Sequence, residues 1–121
     1  MKRTSIGERI NQDIGTAVNV AGKQELLRSI SEKDFSQQIY NLATWLKWKV
    51  YRTWKSIHSP SGFPDLVLVR ERIVFAELKS EGSKLTSPQL EWVLALDAAG
   101  GEAYAWWPHS WEEIIKILER S

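Results

Sequence analysis

Two apolar runs, Leu66-Val67-Leu68-Val69 and Ile73-Val74-Phe75-Ala76, are separated only by Arg70-Glu71-Arg72. Nothing else in the chain constrains its fold as strongly. Each run is too short for a helix, rich in β-branched residues and bounded by charge. The pair therefore predicts an antiparallel hairpin, buried on both faces near its centre. If Arg70-Glu71-Arg72 is a three-residue loop, Val69 faces Ile73 and Val67 faces Phe75. Continued outward, that register sets Asp65 opposite Glu77, with Cβ atoms roughly 4.5–5.5 Å apart.

Helices are legible on either side. Ser31 suits an N-cap, and Phe35, Ile39, Leu42 and Leu46 recur at helical spacing, so 32–46 is an amphipathic helix. Trp48 to Trp54 reads as a strand, and 55–64 holds turn formers throughout. Ser87 before Pro88 predicts a helix start, with the helix ending at Gly100-Gly101. Glu102 to Trp107 is a further strand, and Ser110 with Glu113 predicts a capping box for a last helix over 111–119. The order from residue 31 is α-β-β-β-α-β-α, an α/β fold. Residues 1–30 read as an N-terminal arm with a short helix near Gly22–Ser31, and 31–121 as the compact domain.

Composition narrows the chemistry. A chain of 121 residues fits one domain able to bury a core. It has no cysteine, which removes disulfides, thiol catalysis and cysteine metal sites. No apolar run is long enough to span a membrane, and Met1-Lys2-Arg3 does not open a secretory signal, so a cytoplasmic protein with no membrane partner is expected. There is no phosphate-cradling loop, dinucleotide fingerprint or hydrolase triad, so no organic cofactor is expected. Charge is uneven: residues 1–60 carry net +5 and residues 61–121 net −4. A basic half suits a polyanion, and an acidic half suits a cation.

The informative residues are Gly62-Phe63-Pro64-Asp65 and Glu77-Leu78-Lys79. Opposed carboxylates repel, and next to apolar strands each is costly unless paired or metal-bound. A hard cation such as Mg²⁺ resolves the conflict, with the Leu78 carbonyl as a third ligand. Lys79 beside two anions stays protonated and can stabilise charge on a phosphate or orient an attacking water. On spacing alone a solvated Glu-x-Lys face remains the competing account.

These pieces, in this order, resemble the PD-(D/E)xK nuclease superfamily, and within it the small VRR-NUC nucleases of phage and bacteria. The resemblance covers about 31–118 and includes Glu32 before Phe35, Trp48-Lys49-Val50-Tyr51 and Leu85-Thr86-Ser87-Pro88-Gln89. Lys47 departs from it, standing where similar sequences often carry glycine, and residues 1–30 have no clear counterpart. The resemblance implies a restriction-endonuclease-like small mixed sheet flanked by helices. It also implies an Mg²⁺- or Mn²⁺-dependent endonuclease acting on DNA in a bacterial or phage-infected cell. In it Asp65 and Glu77 hold the metal, Lys79 assists the water, Gln89 supports the site and Glu32 completes it.

A Holliday-junction resolvase-like role is the specific expectation, and cutting two strands is easiest for a homodimer. The alternatives are a nicking or restriction-type nuclease, a nuclease-like fold that binds without cutting, and an arm that recruits a specificity partner. Lys49, Lys55 and Lys84 are candidate phosphate contacts, with Trp48, Tyr51 and Trp54 interleaved for stacking. Trp106, Trp107 and Trp111 are expected in the core or a dimer contact, and His58 outside the site.

Overall fold

A computed structural model describes residues 20–55 and 57–121 of the chain. The expected arm before residue 20, and Ser56 in the long loop, lie outside the described residues. The elements are α1 (Val20–Ser29), α2 (Glu32–Trp45), β1 (Lys49–Arg52), β2 (Leu66–Val69), β3 (Ile73–Leu78), α3 (Ser87–Ala98), β4 (Glu102–Trp106), a 3₁₀ turn (Pro108–Ser110) and α4 (Trp111–Glu119). The strands form one sheet in the order β1-β2-β3-β4. The first three are antiparallel, and β4 runs parallel to β3 after the α3 crossover.

The hairpin has the expected register: Val69 pairs with Ile73, Val67 with Phe75 and Leu66 with Ala76. The turn is closed by the Arg70 N–H donating to the Arg72 carbonyl at 3.0 Å. Alternation then sorts the side chains. Leu66, Leu68, Val74, Ala76, Leu78 and Trp106 turn to one face and pack with Phe35, Ile39 and Ala43 of α2 and Ile114, Ile117 and Leu118 of α4. The opposite face carries Tyr51, Val67, Val69, Ile73, Phe75 and Glu77. This face is less covered than the sequence suggests, because Val69 and Ile73 lie exposed at the hairpin end. Helix α3 packs on β4 and β3, yet it buries none of its own residues fully.

The hairpin arginines tie the sheet to the end of α4. Both guanidiniums lie over the Trp48 ring, at 4.6 Å for Arg70 and 4.9 Å for Arg72. They donate to carbonyls of Leu46, Ile117, Leu118 and Arg120. The Trp48 indole N–H joins Arg70 on the Leu118 carbonyl at 2.9 Å. Orphan carbonyls at a helix C-terminus are thus met by cations, which the helix dipole also favours. Trp48 is therefore core, and so is Trp106, whereas Trp111 packs part-buried against that core.

Local details differ from the sequence reading. The first strand is confined to Lys49–Arg52, because the chain leaves the sheet where the long loop begins. The last strand ends at Trp106. The N-cap of α3 is Thr86 rather than Ser87: Thr86 and Gln89 form a reciprocal capping box, and Ser87 becomes the first helical residue. Ser110 makes no side-chain cap for α4; its hydroxyl accepts the Trp107 N–H at 3.1 Å instead. Lys47 takes φ 74°, the left-handed conformation that glycine adopts without strain.

Candidate active site

The site grows out of the far end of the hairpin. Beyond Leu66, the β1–β2 pairing continues through the Thr53 N–H, which donates to the Asp65 carbonyl at 2.8 Å. The Thr53 hydroxyl donates to the Pro64 carbonyl at 2.6 Å. Asp65 is thus held by its backbone while its carboxylate reaches β3, where Oδ2 accepts the Leu78 N–H at 2.9 Å. Gly62 seats the preceding loop on α3. It has φ +92°, and a Cβ there would lie 2.5 Å from the Pro88 carbonyl carbon and 2.8 Å from the Gln89 nitrogen.

Glu77 is 3% exposed, and its Oε2 has no hydrogen-bond partner. Burial, followed by the negative charge of Asp65, pushes its carboxyl up to about 8, while Lys79 and Lys55 oppose that rise. Lys79 Nζ donates to Gln89 Oε1 at 3.2 Å, and the same oxygen accepts the Thr86 N–H at 2.9 Å. The capping box of α3 therefore holds the residue that holds Lys79.

Two cavities meet at Asp65. The smaller, about 320 Å³, is lined by Glu32, Ser36, Arg52 and Asp65 among others. The larger, about 780 Å³, holds Asp65, Glu77 and Gln89 together with Lys55 and several aromatic side chains. Asp65, Glu77 and Gln89 share the larger cavity, Lys79 is bonded to Gln89, and Glu32 shares only the smaller cavity with Asp65. Leu78 turns its side chain into the core. Lys55 lines the large cavity, whereas Lys49 and Lys84 are exposed and line neither.

Thr53 escaped the sequence reading. A threonine just past a strand carries no signal of its own, and its role appears only when β1 and β2 pair.

No set of three His, Cys, Asp or Glu side chains arranged to hold a metal occurs among the described residues. The donor set nevertheless fits a hard cation. A buried carboxylate oxygen without a partner, beside a second carboxylate, matches an ion that takes one or two protein carboxylates and otherwise keeps water. The site residues that could hold it are Asp65 and Glu77.

A mixed sheet with this crossover, carrying paired carboxylates and a lysine at the end of a hairpin, defines a nuclease-type α/β domain. A solved structure, a VRR_NUC domain protein, shares the fold with TM-score 0.52 at 17% identity, over 69% of this chain and 84% of that one. No curated protein matches the chain. Residues 7–106 match the VRR-NUC domain, and the chain belongs to that family, within the PD-(D/E)xK superfamily. The match begins inside the segment expected to be an arm without a counterpart. No helix among the described residues is long and apolar enough to cross a membrane.

Proposed function

We propose that the chain is a divalent-metal-dependent endonuclease that hydrolyses DNA phosphodiester bonds. The observation that carries this is the buried, unpartnered Oε2 of Glu77 beside Asp65. Two adjacent carboxylates are costly when both are ionised in a buried site, and a bound cation relieves that cost. Asp65 and Glu77 would hold Mg²⁺ or Mn²⁺, with the Leu78 carbonyl as a further ligand. The ion, when bound, stabilises charge developing on the phosphate.

The chain's own residues supply the rest. Lys79, held by Gln89, directs its Nζ at the attacking water or the phosphate. Glu32 completes the Asp65 side. Lys55, Lys49 and Lys84 offer phosphate contacts, Lys55 from within the cleft itself.

A homodimer suits the cutting of branched or junction DNA. Leu90 and Leu94 on α3, with Val69 and Ile73 on the open sheet face, are exposed apolar side chains that a second copy would cover.

The test is cleavage of matched single-stranded, duplex, flap and four-way-junction DNA in Mg²⁺, Mn²⁺ or EDTA. The expected result is metal-dependent cutting that disappears in Asp65→Ala while DNA binding persists. Tight, salt-sensitive binding with no cutting in any ion would overturn it in favour of a binding module.

A further inference from the structure

The large cleft holds more than the carboxylates need. Trp54 is 86% exposed and Tyr51 63% exposed, and both line it. Phe63 and Trp92, packed edge-to-face at 5.1 Å, are part-buried in its lining. The two exposed rings are anomalous for a small soluble domain, because large aromatic surfaces left in water mark binding sites. Lys55 lies beside Trp54 in the sequence and lines the same cleft. A cavity of about 780 Å³ is of ligand size, whereas a base-paired duplex is far too wide to enter it.

From this we propose that the cleft receives an unpaired nucleobase adjacent to the cut phosphate, stacked on Trp54 and Tyr51, with Lys55 on a neighbouring phosphate. The inference rests on the nuclease function proposed above and names its substrate class: DNA with an unstacked or single-stranded nucleotide at the cleavage point. Aromatic stacking tolerates any base, because every base has a π face, so the cleft selects for strand state rather than sequence. Trp54 and Tyr51 are specificity residues on this account, and Asp65 and Glu77 remain the place where the phosphate lies.

The test is fluorescence polarisation in Ca²⁺ with labelled single-stranded, 5′-flap and blunt duplex DNA, with an abasic nucleotide moved stepwise along the unpaired strand. Wild type is expected to bind single-stranded and flap DNA more tightly than blunt duplex. One abasic position should weaken it about 5- to 150-fold, the range of one lost base stack. Trp54→Ala should weaken single-strand binding to a similar degree and abolish the abasic penalty, and Trp54→Phe should restore part of both. Because Trp54 is almost fully exposed, the variant should melt with wild type.

The proposal is overturned if no abasic position matters, if the penalty is equal in wild type and Trp54→Ala, or if that variant loses blunt-duplex binding equally. Loss of a dimer in Trp54→Ala without an abasic effect overturns it too, and assigns the rings to a subunit contact. Cutting in Mg²⁺ is read separately. An abasic effect without cutting removes the nuclease function alone, and cutting without an abasic effect removes the base pocket alone.

Discussion

Gln89 Oε1 accepts a hydrogen bond from Lys79 Nζ at 3.2 Å while it accepts the Thr86 N–H at 2.9 Å. One oxygen therefore caps a helix and fixes a cation beside two carboxylates. The two jobs can be separated. Thr86→Ala removes the hydroxyl half of the capping box and leaves the lysine contact, whereas Gln89→Ala removes both Gln89 bonds. Each should cost about 1 kcal/mol in denaturant melts. Only Gln89→Ala should lower the cleavage rate, by about tenfold or more, with DNA affinity retained. Equal activity in the two variants would reduce Gln89 to a helix cap.

The raised Glu77 carboxyl carries a pH signature. Its folded value, about 8, lies above the ordinary 4.5, so the folded state keeps a proton that the unfolded chain loses between them. The metal-free protein is then relatively most stable below pH 4.5 as far as this group is concerned, and loses that contribution as pH rises to 8. Glu77→Gln cannot lose a proton. Thermal melts in EDTA should show the variant near wild type at pH 5 and more stable by a few kcal/mol at pH 8.5. Adding Mg²⁺ at pH 8.5 should raise the wild-type Tm and leave the variant unmoved. A gap that does not change with pH would contradict the burial of an unpaired carboxyl.

Lys47 holds φ 74° in the turn between α2 and β1. A left-handed non-glycine residue costs roughly 1–2 kcal/mol, part of which glycine returns through its freer unfolded chain. Lys47→Gly should therefore stabilise the protein by about 0.5–1 kcal/mol, a Tm rise of roughly 2–5 °C. Cleavage should be unchanged, since the turn lies outside both cavities.

Gly62 has the opposite expectation. Its positive φ and the 2.5 Å approach of an added Cβ to Pro88 leave no room for a side chain. Gly62→Ala should destabilise by at least about 2 kcal/mol and displace the Phe63-Pro64-Asp65 segment from α3. At a temperature where the variant is still folded, cleavage should fall further than DNA binding. Unchanged stability would mean that the loop does not seat on the helix as described.

Much of this was legible along the chain. Alternation and loop length alone predicted the register from Val69–Ile73 to Leu66–Ala76, because a three-residue loop leaves a hairpin a single register, and Asp65 and Glu77 are the next residues beyond its last pair. The period of α2 identified Phe35 and Ile39, although Ala43 rather than Leu42 is the fully buried residue of its next turn. Even the strained Lys47 showed itself as a lysine where similar sequences turn on glycine. Capping misled at Ser87 and Ser110, since several neighbouring hydroxyls can each cap a helix and only the folded turn selects one.

Sequence by itself determined the elements, the hairpin register and the types of side chain that meet at its end, because local sterics and side-chain periodicity act over a few residues. Tertiary structure alone decided the environment of those side chains. Glu77 becomes an acid with a raised pKa only once folding buries it beside Asp65. Thr53 clamps Asp65 only once β1 pairs with β2. Trp54 and Trp48, alike in sequence, end one in water and the other beneath two arginines. Desolvation depends on what packs nearby in space, and that is set by contacts between segments far apart in the chain.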